Sequence, residues 1–409
     1  MLITNSFPFA SSIIGGVAVF LLLFFTQKIN YAIFKRFSFF LFFLIFFNPF
    51  IWLMSNRYMP DLLGLSLLVS GIYYLIKIQK NVSKNNLYKL GVAIGLLSGI
   101  RISYLPFFLP IFFMLKFDKL KYIISASILF FIIWFIPWIY ITNLSDLIST
   151  AINDSQGHFF KWGGTVMSDN SSFQTRLIKI IESIFADSLG FWWYERHWIT
   201  LINSIFLLPF LIFSIIILLK KNIFKYKSSR IIAICFIAYF IWAYFFQNIV
   251  YKPRHLMPFI PLSCFLISIS YDFIKQEIKS FSLKKNLIII IIPYIFITFK
   301  LISQHKIPSA ISQVSLFINE SKAEKKIIIS HHLMNYYFSK TINQPVIYLN
   351  KKSYQNKSKY YYQKGYRIFS TSKLNDNEYQ LVNIKHFYHN PYVNKLWSNL
   401  SIYEYKINK

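Results

Sequence analysis

Only 15 of the 409 residues are acidic, against 44 lysines and arginines, and only two are cysteine. Cys235 and Cys264 both sit inside apolar runs, so a disulfide framework and a cysteine-rich metal site are excluded. Charged residues make up 14% of the chain, where soluble domains carry about 25%. An ordinary soluble globular protein is therefore excluded as well. The chain also has no zinc-ligand spacing, no nucleophile elbow and no Walker loop, so the commonest catalytic signatures are silent. What fills the space is apolar: 45 Phe, 28 Tyr and a mean hydropathy of +0.45, gathered into long blocks. Blocks of that length point to a membrane protein. The net charge of +29 would suggest nucleic acid on a soluble chain. Here it has to be judged by where it falls between the blocks.

Ten segments read as membrane spans: 11–26, 37–54, 62–77, 88–103, 104–116, 121–142, 198–219, 231–248, 256–273 and 286–300. Five short loops between alternate segments hold 19 of the basic residues. These are Lys28, Lys35 and Arg36; Lys77, Lys80, Lys84 and Lys89; Lys116, Lys119 and Lys121; Lys220, Lys221, Lys225, Lys227 and Arg230; Lys275, Lys279, Lys284 and Lys285. The other side holds eight up to residue 299: Arg57, Arg101, Lys161, Arg176, Lys179, Arg196, Lys252 and Arg254. The positive-inside rule puts the five loops in the cytoplasm and both termini outside. Residues 88–116 could instead be one span kinked at Pro106 and Pro110, but that would place three basic loops outside, so the charge bias favours two short helices. Gly91, Gly95 and Gly99 form a small-residue face for close helix packing.

Residues 1–10 carry no basic region, so 11–26 does not read as a signal peptide. It runs from outside to inside, the start expected if a preceding helix and loop are missing from the chain. The long outer segment 143–197 mixes Gly, Ser, Asn and aromatics with an amphipathic stretch at 173–185 that suits the interface. Trp192, Trp193 and Trp198 suit an interfacial aromatic belt. Beyond residue 300 the apolar runs shorten. KIIIS (326–330), PVIYL (345–349), YRIFST (366–371) and 401–407 read as strands. Helical stretches at 308–319, 331–339 and 353–364 alternate with them. That pattern predicts a small α/β domain over 301–409 with a mostly parallel sheet. The expected organisation is thus a polytopic all-α membrane domain, 1–300, and an extracytoplasmic α/β domain. Seventeen basic residues follow residue 299; without a phosphate-binding glycine loop they suit contact with anionic lipid.

A set of polar residues gathers at the outer helix ends. Asp61 follows Pro60 in SNRYMPD, with Arg57 just before it, and Arg101 and Tyr104 lie in SGIRISYLP. His158 is in QGHFFKWGG, Glu195 precedes Arg196 and His197, and Lys252, Arg254 and His255 lie in YKPRHLMPFIP. Singly, each has an ordinary explanation: an Arg or Lys at a helix end snorkels to the headgroups, and Asp61 caps the helix after Pro60. Together, a carboxylate, cations and histidines at one depth make a site, because such groups are costly to bury without use. The set suits a lipid-linked phosphate, with Arg101 and Arg254 on the anion and a carboxylate taking a proton from a hydroxyl.

Three stretches resemble the GT-C superfamily of integral membrane glycosyltransferases, in the branch of protein O-mannosyltransferase-like and aminoarabinose transferase-like enzymes. FFNPFIWLMSNRYMPDLLGLSLLVSGIYYLI (46–76) is similar to the family's helix–turn–helix, with an Asp opening the second helix. GVAIGLLSGIRISYLPFFLPIFF (91–113) is similar to its Gly-rich helix followed by a Pro-rich one, and YKPRHLMPFIPL (251–262) resembles its Arg-Tyr/His-x-x-Pro helix start. The likeness covers residues 10–300. It implies transfer of a sugar from a polyprenyl-phosphate donor to an acceptor on the outer face. It also implies an acidic residue in a first outer loop, which this chain lacks: either the start is late or the protein is a truncated, inactive member. By resemblance Asp61 supports the donor site or a metal, Arg254 and His255 face the donor phosphate, and His158 is the weaker assignment.

The expected function is therefore a multi-pass glycosyltransferase of the plasma (inner) membrane acting on a cell-envelope lipid, glycan or protein. Asp61 is its candidate catalytic residue, and Arg57, Arg101, Tyr104, His158, Glu195, Lys252, Arg254 and His255 are its candidate substrate-binding residues. Its partners are the polyprenyl-phosphate sugar donor and membrane lipids, with no nucleic acid. The cofactor stays open, a divalent cation being the one to consider. An O-antigen-type polymerase or ligase, a non-catalytic truncated homologue and a lipid transporter stand as alternatives. A transporter predicts midplane charges and repeated halves, and neither is found.

Overall fold

The computed structural model describes residues 7–55, 57, 59–161, 164–168, 172–220, 227–250, 252–277, 287–321, 325–350, 354–374, 378–390 and 397–407. Lys221, Lys225, Lys279, Lys284 and Lys285, named above in two basic loops, lie outside the described residues. The protein is mostly helical, 74%, with a small carboxyl-terminal sheet. It divides into two compact units, Met1–Phe299 and Lys300–Lys409.

The first unit begins with α1 (Phe7–Phe34), α2 (Phe39–Phe46), α3 (Pro49–Ser55), α4 (Asp61–Lys80) and α5 (Lys84–Ile100). A 3-10 turn (Ile102–Phe108), α6 (Leu109–Met114), α7 (Phe117–Thr142) and α8 (Leu144–Gln156) follow. A π-helical turn (Gly157–Lys161), α9 (Phe173–Ile181) and a second π-helical segment (Glu182–Ser188) lead to α10 (Ile199–Lys220) and α11 (Lys227–Phe246). A 3-10 turn (Pro253–Leu256), α12 (Phe259–Glu277) and α13 (Ile292–Ser303) come last. Among the described residues, six helical runs are long and apolar enough to cross a bilayer: Phe9–Phe34, Asp61–Lys80, Phe117–Thr142, Ile199–Lys220, Ser229–Phe246 and Ile288–Glu320.

Six is fewer than the ten read from the sequence, and the differences have local causes. Segment 37–54 is broken because the Asn48 side chain accepts from the backbone N–H of Phe50 and Ile51, 3.0 Å each, and so starts a new helix at Pro49. Residues 88–116 do divide as expected, at Arg101, whose backbone is extended (φ −152°, ψ 74°), but the second part is not one long helix. The chain then tightens into the 3-10 turn, where Pro106 has no N–H to give an α-helix. Gly91, Gly95 and Gly99 do carry close packing, against α7: a β-carbon on Gly95 would meet the Ser127 carbonyl at 2.5 Å. The Ser127 hydroxyl donates to the Gly91 carbonyl at 3.0 Å across that contact. Segment 173–185 is an α-helix to Ile181 and π-helical beyond it, and its Arg176 and Ile180 are buried while Phe173, Leu177 and Ile178 stay exposed. α4 is the most enclosed crossing helix, with 72% of its apolar window buried against 11% for α7. The site hangs on the amino end of α4.

The second unit holds α14 (Ala310–Glu320), β1 (Lys326–Ser330), α15 (His332–Thr341), β2 (Val346–Asn350), α16 (Gln355–Gln363), β3 (Arg367–Ser370), β4 (Tyr379–Tyr388) and β5 (Asn399–Ile407). The sheet order is β2-β1-β3-β5-β4. β1 pairs in parallel with β2 and β3, while β5 pairs antiparallel with β3 and β4. The expected mostly parallel sheet is thus a parallel core with an antiparallel wing. Side chains alternate across it as a pleat requires. Ile328 joins Phe338 and Val314 on one face, and Ile327 and Ile329 join Ile368 and Tyr405 on the other. β4 was not read as a strand because it is an exposed edge strand. Only Tyr379 and Phe387 of its ten residues are buried, so no apolar run marks it.

Candidate functional site

Eight of the nine candidate residues lie in or beside one cluster at the amino end of α4. Asp61 is the first residue of α4, where the helix macrodipole favours a negative charge. It is the first helical residue and not the cap, which is Pro60. Its side chain is 1% exposed, and Arg101 Nη2 lies 2.9 Å from its Oδ1. The extended break at Arg101 aims that guanidinium back across Gly64. A β-carbon on Gly64 would come within 2.6 Å of Arg101 Cβ, so the bare backbone one turn along from Asp61 is what admits the arginine. Arg254 Nε stands 4.0 Å from the same carboxylate oxygen, and Arg254 Nη1 donates to Met59 Sδ at 2.7 Å.

Two tyrosines from different elements hold the backbone of the third arm. The Tyr104 hydroxyl donates to the Arg254 carbonyl at 3.2 Å, and the Tyr239 hydroxyl to the His255 carbonyl at 2.5 Å. Their rings meet edge to face at 5.9 Å, and the Arg101 guanidinium lies over the Tyr104 ring at 5.6 Å. Tyr104 therefore positions Arg254 and Arg101. Tyr239 was not legible as a site residue, since in sequence it is one aromatic in an apolar span.

His255 is 4% exposed and its Nδ1 lies 3.3 Å from Arg101 Nη2. A guanidinium only donates, so Nδ1 is the acceptor and the proton sits on Nε2. Nε2 is buried and has no hydrogen-bond partner among the described residues. The His158 ring stands 6.0 Å from the His255 ring, with Nε2 3.1 Å from the Phe246 carbonyl. Burial, and then the Arg101 and Arg254 charges, hold His255 well below the ordinary histidine range. Burial also lowers His158, against the opposing bond to Phe246, with Lys252 and Arg101 lowering it further. Both imidazoles are neutral at pH 7.

The cations repel one another as the geometry requires. Burial lowers Arg57, and the Arg254 charge lowers it further while Asp61 raises it. Burial lowers Lys252, with Arg254 and Arg101 adding to the effect. Arg254 is lowered by burial while Asp61 pulls the other way. Four cations and two neutral imidazoles thus surround one carboxylate. Such an array of donors accepts an oxyanion with several lone pairs to satisfy. Among the described residues, no three His, Cys, Asp or Glu side chains gather as a metal would require.

Glu195 is the residue that does not join. It is exposed, in the left-handed backbone region at φ 64°. Its neighbour Arg196 is the engaged one, 2.6 Å from Asp187 Oδ1 and 3.9 Å from Glu182 Oε1. Those two carboxylates sit on the second π-helical segment, which packs against the 3-10 turn carrying Arg254 and His255. No known family model matches the chain, and no curated protein matches it.

Proposed function

We propose that the protein is a membrane glycosyltransferase of GT-C type, moving a sugar from a polyprenyl-phosphate-linked donor to a cell-envelope acceptor. The observation that carries this is the buried N–H of His255 Nε2, without a partner among the described residues, on a ring whose Nδ1 accepts from Arg101. A buried donor left unmade costs about 1–3 kcal/mol, and a phosphate oxygen would satisfy it. The site lies where apolar helices end, the depth at which the phosphate of a lipid-linked sugar sits. In this reading the phosphate is held by Arg101, Arg254 and His255, with Arg57 and Lys252 beside it. Asp61 supports the donor site and is the carboxylate within reach of an attacking hydroxyl. The 19 basic residues of the five short loops support a cytoplasmic side for those loops, and in this reading the site and the carboxyl-terminal unit face away from it. The short helices α2, α3 and α6 complete further crossings where protein, not lipid, surrounds the broken backbone.

The test is turnover of a panel of polyprenyl-phosphate sugars by the purified protein in liposomes, with equilibrium binding of a polyprenyl monophosphate alongside. Wild type should bind the monophosphate and release sugar from one member of the panel. Asp61→Asn should abolish release, and Arg254→Ala should weaken binding about tenfold or more, the size of one charge-assisted hydrogen bond. Unchanged binding in Arg254→Ala would sink the site.

A second reading is a lipid-phosphate-binding homologue without transfer chemistry. It is favoured by Asp61 being the one carboxylate in contact with the cluster among the described residues, and already engaged by Arg101. Binding without turnover of any donor would select it.

A further inference from the structure

An α-helix leaves its last four carbonyls without intrahelical partners, and a buried helix end must find donors elsewhere. At the carboxyl end of α11 the Ala243 carbonyl takes the Gln247 N–H at 3.2 Å, and the other three find donors in one outer segment. Arg176 Nε donates to the Tyr244 carbonyl at 3.0 Å, and Arg176 Nη2 donates to the same oxygen and to the Gln247 carbonyl at 3.2 Å. The Val166 N–H donates to the Phe245 carbonyl at 3.3 Å, and His158 Nε2 to the Phe246 carbonyl at 3.1 Å. Arg176 Nη1 reaches back to the Gly164 carbonyl at 2.7 Å, closing the segment on itself. Arg176 is 1% exposed, the largest of the fully buried side chains, and its guanidinium stacks over Tyr244 at 5.5 Å. Gly164 adopts φ +82° against Asn248, a position where any β-carbon would collide. One arginine therefore fastens the segment bearing His158 to the helix that leads, six to nine residues after its end, into Lys252, Arg254 and His255.

We infer that Arg176 is the positioning residue of the anion site: it clamps the 157–176 segment onto the end of α11 and so fixes His158 beside His255. The inference rests on the phosphate-site reading only for its effect on ligand; the clamp itself is testable without one. A guanidinium suits the role because its planar fork serves three carbonyls on two elements at once, which neither lysine nor glutamine can do. Arg176 itself touches no ligand and acts through His158.

The experiment uses the full chain in detergent micelles, with side-chain NMR of labelled histidine and binding of a polyprenyl monophosphate. In wild type the His158 imidazole should titrate below the ordinary value of 6.5, held by burial near Lys252 and Arg101. In Arg176→Gln its resonance should move back toward that value, and monophosphate binding should weaken by up to about tenfold, because His158 no longer packs beside the His255 ring that donates to the phosphate. The double variant with His158→Ala should bind no more weakly than His158→Ala alone, because both act through the same His158–His255 contact. Arg176→Lys keeps one charged donor and should fall between; it also serves if Arg176→Gln does not fold. An unmoved His158 titration in a folded Arg176 variant overturns the inference, as does full additivity with His158→Ala. Loss of the His158 signature with Arg254→Ala still binding at wild-type strength would instead support the clamp and refute the phosphate site.

Discussion

Asp61→Asn gives the most informative perturbation, because the carboxylate is counter-ion and candidate catalyst at once. The side chain is 1% exposed, with Arg101 at 2.9 Å and Arg254 at 4.0 Å. Removing one partner of a buried pair costs about 3–5 kcal/mol, since the remaining charge is left uncompensated. Arg101 and Arg254 keep 18% and 22% exposure, so water recovers part of the loss and the expected cost is near 3 kcal/mol, the low end of that range. At about 2 °C per kcal/mol for a large unit, the melting temperature should fall by roughly 6 °C. The same change removes the group that competes with a ligand for both guanidiniums. A polyprenyl monophosphate should therefore bind Asp61→Asn more tightly than wild type, by up to about tenfold for each 1.4 kcal/mol recovered. The assay is a thermal melt in micelles with and without the lipid, where stabilisation grows as RT ln(1 + [L]/Kd). The lipid should raise the melting temperature more in the variant than in wild type, while sugar release is lost. An equal or smaller rise in Asp61→Asn would refute the idea that carboxylate and ligand share these arginines.

The remaining predictions test packing and protonation. Gly95→Val should cost about 1–3 kcal/mol by overpacking, because its β-carbon meets the Ser127 backbone at 2.5 Å, whereas Gly16→Ala, with open space around it, should shift the melt far less. His255 is held well below 6.5 in the fold, so the unfolded chain takes up a proton that the folded one refuses. Stability is then complete above about pH 6.5 and declines as pH falls below it toward the folded value; melts across that range should show the decline, and His255→Asn should flatten it. In the second unit, Phe338→Ala empties a fully buried position facing Ile328 and Phe369. It should cost about 3–5 kcal/mol and speed hydrogen exchange of the β1 and β3 amides.

Much of the helical unit was readable because apolar blocks announce helices and basic loops punctuate them. The failures came where a short polar signal overrode a long apolar one. Phe39–Ser55 reads as a single block, yet the Asn48 side chain supplies a cap in its middle and splits it. Hydropathy counts residues; it does not see a cap. In the second unit, KIIIS was legible because both of its faces are covered. β4 was not, because an edge strand with most side chains in solvent has no apolar signature. Asp61, Arg101, Arg254 and His255 were legible for the opposite reason: ionisable residues at apolar helix ends are conspicuous. Arg176 stood in the same list of outer cations but looked like a surface charge on an amphipathic helix. Its partners are backbone carbonyls seventy residues away, and a carbonyl has no letter in the sequence. Glu195 erred the other way, since the neighbouring Arg196 took the ionic contacts.

The shortage of acid now has a structural consequence. Among the described residues, Glu182 and Asp187 are tied to Lys179 and Arg196, Asp272 to Arg36, Glu378 to Lys359 and Glu404 to Arg367. Asp61 is the carboxylate within 4.0 Å of the cluster's guanidiniums among the described residues, ion-paired to Arg101 and facing Arg254. If the protein is the glycosyltransferase proposed above, a phosphate entering between those arginines would take over their charge and release the carboxylate. An acceptor hydroxyl would then meet a free Asp61 only after the donor phosphate is seated. Steady-state kinetics should accordingly be ordered, donor first. Productive binding of acceptor to donor-free protein would break the link between the salt bridge and the chemistry.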